Sequence, residues 1–102
     1  MVISAINGPL ESFRENAGLT NGSETIYLLD PAQTYVVDCV VTSAGTATLK
    51  TFVDPDIPTD FSEMSEVAQG TQTVNFSREV KGCTCVGLDV ATGTWTVKVR
   101  RV

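Results

Sequence analysis

The chain has 102 residues, 42% of them hydrophobic, and carries 12 acidic against seven basic side chains for a net charge of −5. This length supports a single small domain, the apolar content is too high for a disordered chain, and the acidity argues against a nucleic-acid binder, which needs a clustered basic face. With no histidine in the sequence, triad hydrolases, thiol proteases and histidine-ligated metal centres are excluded as well, so no enzyme is expected.

The first residues, MVISAINGPLESFRENAG, have no positive leader and no apolar run of signal-peptide length, and no window approaches the roughly 18 apolar residues of a membrane span. The expectation is a protein without membrane partners, made and kept in a cytosol-like compartment unless it leaves inside a larger particle. VISAI is a short strand candidate. PLESFREN, with Pro9 near its start and Leu10 and Phe13 three apart, offers one or two helical turns at most, and a polar stretch then runs to Ser23.

ETIYLL is the next strand, closed by Asp30-Pro31. In TYVVDCVVT the set Tyr35, Val37, Cys39, Val41 is apolar, whereas Val36, Asp38, Val40 and Thr42 are mixed, so period two turns the first set inward. After the turn SAG, TATLKTFV places Ala47, Leu49, Thr51 and Val53 on one face, and these two runs read as a hairpin. DPDIPTDFSEMSEVAQG holds two prolines, five acids and no base; it reads as an exposed connection with a short strand or helical turn between Phe61 and Val67. TQTVNFS alternates with Val74 and Phe76 inward, and EVKG turns the chain. KGCTCVGLDVATGTWTVKV then gives two strands, one with Thr84, Val86, Leu88 and Val90 on one face and Cys83 with Cys85 on the other. The second carries Trp95, Val97 and Val99 on its inner face, and ATGT between them reads as a hairpin loop. Six to eight strands at spacings near ten residues predict an all-β fold: one small antiparallel β-sandwich, jelly-roll-like, or a partly open barrel.

The side chains that invite a chemical role have plainer explanations. Cys83-Thr84-Cys85 could offer two thiolates to a metal, but structural zinc sites want four ligands at wider spacing; small buried hydrophobes explain the pair better. Three cysteines without a secretory signal read as reduced thiols, Cys39 with Cys83 or Cys85 being the pairing to consider if one formed. DPDIPTD lacks the glycine and the terminal glutamate of an EF-hand, and its prolines restrict the turn that would converge oxygens. The sequons at Asn21 and Asn75 matter only in a secreted chain. Trp95 on an apolar strand face reads as core. No cofactor or metal is expected.

One pattern extends over about two-thirds of the chain. An apolar strand YVVDCVV, a glycine turn, TATLKTFVD, a Thr-rich TQTVNFS, KGCTCVGLDVA and a final GTWTVKVRRV follow one another. In this order they resemble the small β-sandwich proteins of tailed-bacteriophage virions, the capsid decoration or cement proteins and related head or tail accessory proteins. The ending VKVRRV is similar to the V-x-V/L-x-R-V close of such chains, whereas the long proline- and acid-rich loop departs from their shorter one. No functional residue carries over from a strand pattern. The resemblance implies a non-enzymatic virion structural protein on the capsid surface, assembled in the host cytoplasm. Its implied partners are the major capsid protein, other virion subunits, or further copies of itself in a homo-oligomer such as a trimer. Residues 1–23 would be an extended N-terminal arm and residues 24–102 the sandwich domain. Contacts are then expected from the arm's apolar residues Ile3, Ile6, Leu10 and Phe13, and from Lys98 and Arg100 on the last strand. The alternatives are a tail or connector accessory protein, or a free carbohydrate-binding or adhesin-like sandwich, which would need exposed aromatics on one face.

Overall fold

The computed structural model describes residues 5–9, 13–54, 56, 58, 60–70 and 74–102. Its elements are β1 (Ala5–Pro9), β2 (Phe13–Leu19), β3 (Glu24–Leu28), β4 (Thr34–Ser43), β5 (Ala47–Phe52), a 3₁₀ turn (Phe61–Glu63), β6 (Ser65–Gly70), β7 (Phe76–Lys81), β8 (Cys85–Val90) and β9 (Thr94–Arg101). They form a five-stranded sheet in the order β1-β3-β8-β5-β6 and a four-stranded sheet in the order β2-β9-β4-β7. Every pairing is antiparallel except the parallel one of β1 with β3.

From β2 onward the first strand pairs with the last (β2 with β9) and the second with the last but one (β3 with β8). This interleaving of two Greek keys makes a jelly roll, to which β1 adds an extra edge. Each sheet keeps its own two edges, so the fold is an open sandwich and not a barrel.

The alternation read from the sequence selects the core. Tyr35, Val37 and Cys39 of β4, Ala47 and Leu49 of β5, Val86, Leu88 and Val90 of β8, and Trp95, Val97 and Val99 of β9 all meet between the sheets. Burying each of these larger side chains stabilises the fold by about 1.5–3 kcal/mol. Phe76 packs on their margin, edge-on to Trp95 at 5.9 Å between ring centres.

Both expected hairpins are instead crossings between the sheets. β4 and β5 lie in different sheets, and so do β8 and β9. The two crossings stack on each other: Thr46 N–H donates to the Thr92 carbonyl, while Ala91 and Thr92 N–H donate to the Thr46 carbonyl. β4 consequently pairs with β9, and β5 with β8.

The strand β8 is central, and both of its faces are covered. Cys83 and Cys85 do not share a face: Cys83 joins the core between the sheets, whereas Cys85 belongs to an outer cluster with Ile26 and Met64. Met64 follows the 3₁₀ turn, which therefore lies over the outer face of the five-stranded sheet. Asp60 accepts from Ser62 N–H and Glu63 accepts from Asp60 N–H, a reciprocal cap that holds this turn. The expected short turn and strand within the acidic connection are thus present.

Residues expected in the N-terminal arm are part of the sandwich where they are described. β1 extends the five-stranded sheet and β2 the four-stranded one. The helical turn suggested for PLESFREN is replaced by strand from Phe13 onward. An isolated turn fixes several dihedrals for one hydrogen bond, whereas pairing with β9 satisfies a whole row of backbone groups. Val74 is exposed, not inward, because β7 begins at Phe76; the strand continues through Glu79–Lys81, so that of the EVKG expected to turn only Gly82 does.

Candidate functional site

With Trp95, Val97 and Val99 buried, the alternate residues of β9, Lys98 and Arg100, face outward from the four-stranded sheet. The register brings neighbours to them from distant parts of the chain. Lys98 stands opposite Glu15 of β2 on one side and Asp38 of β4 on the other, and Asp38 is opposite Ser77 of β7. Two residues along, Arg100 stands opposite Phe13 and Val36, and Val36 is opposite Glu79.

Asp38 ties these rows together. Ser77 Oγ donates to Asp38 Oδ1 at 2.6 Å, and Arg100 Nε lies 4.0 Å from Asp38 Oδ2. Such exposed pairs are each worth about 0–1 kcal/mol, so they organise the face more than they stabilise it. Phe13 is 53% exposed at the end of its row. Beside the rows, where β7 begins, an open depression of about 330 Å³ lies among Val40, Phe76, Ser77 and Lys98. Asn75 closes its end by accepting from Val41 N–H, in place of a strand partner.

Of the six residues expected to make contacts, Phe13, Lys98 and Arg100 come together on this face. Ile6 lies in β1 of the other sheet, opposite Ile26. Ile3 and Leu10 lie outside the described residues. Glu15, Val36 and Asp38 belong to the face but were not singled out; for Val36 and Asp38 the signal was their outward place in TYVVDCVVT. The register that brings Lys98 to Asp38 is a property of the fold.

The face presents charged, polar and aromatic side chains to solvent. Cys39, beneath it, points into the core, and burial, with the Asp38 charge adding to it, pushes its thiol up to about 12. Burial likewise raises the Cys85 thiol. Neither supplies a thiolate near neutral pH. All three cysteines are free and buried. Among the described residues no three histidine, cysteine or acidic side chains converge as a metal site would require.

No protein-family model matches the chain, and no curated protein matches it. Its fold does match solved structures. SPBc2 prophage-derived protein YomS superposes with a TM-score of 0.58 at 14% identity, over 90% of this chain and 96% of that one. PliG of Aeromonas hydrophila, a periplasmic inhibitor of g-type lysozyme, gives a TM-score of 0.54 at 10% identity over 96% and 98%. The pre-peptidase C-terminal domain of Bacillus anthracis collagenase gives 0.50 at 15% identity over 95% and 94%. At these identities the likeness establishes a shared sandwich fold, which hosts many functions.

Proposed function

We propose that the protein is a non-enzymatic structural subunit of a tailed-bacteriophage particle, which decorates or stabilises the capsid through protein–protein contacts made by the outer face of its four-stranded sheet. The observation that carries this is an exposed Phe13 opposite Arg100, beside the charged row of Glu15, Lys98 and Asp38. An aromatic and an arginine surrounded by polar groups is the composition of an interface centre and rim. The fold shared with a prophage-derived protein agrees with a phage setting.

A free carbohydrate-binding module fits less well. Trp95 and Tyr35 are buried and Phe76 is half-buried against Trp95, so none of them forms a sugar platform. Co-sedimentation of the purified protein with capsids, and separately with tails, of the phage that encodes it tests the proposal. Saturable binding to capsids is expected, and Phe13→Asp should weaken it about tenfold or more. Binding to tails alone would make it a tail accessory protein, and binding to neither would overturn the reading.

A further inference from the structure

The two sheets leave four edges, β1 and β6 on one and β2 and β7 on the other. An edge strand offers unpaired backbone groups to another chain unless something blunts it. Among the described residues three of these edges are irregular. β1 skips Gly8 in its ladder with β3 and ends on Pro9, which has no N–H; β2 skips Ala17 and Gly18 in its ladder with β9; β6 skips Val67 in its ladder with β5. Irregularities of this kind twist an edge away from further pairing. β7 differs, because it runs unbroken against β4 through six pairs, from Thr34 with Lys81 to Cys39 with Phe76.

The backbone directions along β7 follow from those of β4. The Thr34 carbonyl accepts from Val102 N–H, just past the end of β9, while Val41 N–H is met by Asn75 on the β7 side. Even-numbered residues of β4 thus turn their backbone groups to β9 and odd-numbered ones to β7. The partners of the odd residues, Phe76, Arg78 and Val80, face β4 in return, which leaves Ser77, Glu79 and Lys81 facing the open edge. Side chains already occupy part of that row. Arg78 Nη1 donates to the Ser77 carbonyl at 2.9 Å, and Cys83 Sγ donates to the Lys81 carbonyl at 3.5 Å. Arg78 stands opposite the buried Val37, an inward position, yet it is exposed at the margin of the sandwich. An added strand would have to displace its guanidinium from the carbonyl and take the charge out of water.

We propose that the β7 edge is a strand-addition surface for a second copy of this chain, held shut by the charges of Arg78 and Glu79. A second copy fits because β7 matches itself in length and pleat, and a two-fold axis through the edge continues the four-stranded sheet into its copy. Side chains alternate with period two, so pairing that keeps both outer faces on one side must centre on a residue. Centred on Glu79, it sets Ser77 opposite Lys81 and the two Glu79 carboxylates opposite each other. Centred on Arg78, it sets two guanidinium groups together. Centred on Val80, it matches Glu79 to Lys81 but stops at once, because the chain turns at Gly82. Like charges directly opposite destabilise a pair, so both longer registers are opposed. Particle binding through the outer face does not depend on this edge, so the two readings stand or fall separately.

The test uses Arg78→Thr combined with Glu79→Thr, which removes both charges and keeps strand-forming side chains. Checked for a cooperative melt, this variant should gain a dimer in sedimentation at about 0.5 mM that wild type does not form. Dimerisation should slow amide exchange at positions 77, 79 and 81 by about tenfold or more relative to dilute protein, with positions 76, 78 and 80, already bonded to β4, as the internal reference. Arg78→Thr combined with Glu79→Pro supplies the control. Position 79 turns its N–H to the open edge, so proline there spares the ladder to β4 but blocks an added strand, and this variant should not gain the dimer. A double-threonine variant that melts cooperatively and gains no dimer would overturn the proposal. So would a dimer that leaves those amides unslowed, a proline variant that dimerises equally, or a wild type whose amides at 77, 79 and 81 are already slowed by association.

Discussion

Gly45 and Gly93 lie backbone against backbone where the two sheet crossings stack. A Cβ on Gly45 would stand 2.1 Å from the Thr92 carbonyl oxygen and 2.4 Å from the Gly93 nitrogen, and one on Gly93 would stand 2.5 Å from the Ser43 carbonyl oxygen. Gly93 also has φ +81°, which side chains rarely adopt. Because the obstructing atoms are backbone, neither site can yield by rotating a side chain.

Gly45→Ala and Gly93→Ala are therefore expected to destabilise the fold by about 3 kcal/mol or more, lowering the melting temperature by more than about 10 °C. Gly22 supplies the comparison. It too has a positive φ, of 81°, but nothing lies within 4 Å of its would-be Cβ, so Gly22→Ala should cost only about 1 kcal/mol. Thermal melts of the three variants would separate backbone collision from backbone strain; equal losses would remove the role assigned to the stacked crossings.

The buried Tyr27 hydroxyl donates to Asn16 Oδ1, joining the five-stranded sheet to the edge strand β2. Asn16→Ala leaves that hydroxyl without its acceptor and should cost about 1–3 kcal/mol. Tyr27→Phe should cost less, and the double variant about the same as Tyr27→Phe alone, since the coupling between the two groups is then already gone. Urea melts of the four proteins measure it.

Deleting residues 1–20 should remove more than an appendage. It bares the edge of β9 along Trp95 to Arg100 and takes away both β1 and β2. The shortened protein is expected to lose its cooperative melt, and a melt unchanged from the full chain would show that the edge strands contribute nothing to the fold.

Glu24 is buried opposite Asp89, and burial first, the Asp89 charge second, raises its carboxyl above the ordinary 4.5. Asp60 adds to this, and Lys50 opposes it. A carboxyl raised in the folded state holds its proton more tightly there than in the unfolded chain. The penalty is thus complete above the folded-state value and is relieved as pH falls toward 4.5. Glu24→Gln should be more stable than wild type at about pH 8, and the gap should close on acidification. Melting temperatures of both proteins across that range check the sign; a gap independent of pH would mean that Glu24 does not ionise within it.

With all three cysteines buried and the Cys39 thiol pushed up to about 12, an aromatic disulfide reagent at about pH 8 should find no rapidly reacting thiol in the native protein. Unfolding in guanidinium should release three equivalents. Fewer than three would mean that a disulfide had formed.

Period-two alternation was enough to name Tyr35, Val37, Cys39, Val97 and Val99 as inward, because a strand's side chains must alternate whichever strand lies beside it. The same rule turned Lys98 and Arg100 outward and made the all-β sandwich legible. Alternation carries no information about pairing. A hairpin and a crossing between sheets both join two strands with apolar inner faces, so SAG and ATGT could not reveal which they were. That choice was made by the close approach of Gly45 to Gly93 and by the exchange of backbone hydrogen bonds between Thr46 and Thr92, contacts between segments nearly fifty residues apart. The same topology recruited PLESFREN into β2, against its local turn-like character, because the open edge of β9 offered backbone partners. It also placed Glu15, Asp38 and Lys98 in one row, and laid the turn before Met64 over the outer face of the other sheet. Composition determined that the molecule is acidic; only the pairing of β9 between β2 and β4, a contact between distant segments, decided that Lys98 meets the acids Glu15 and Asp38 on one outward face.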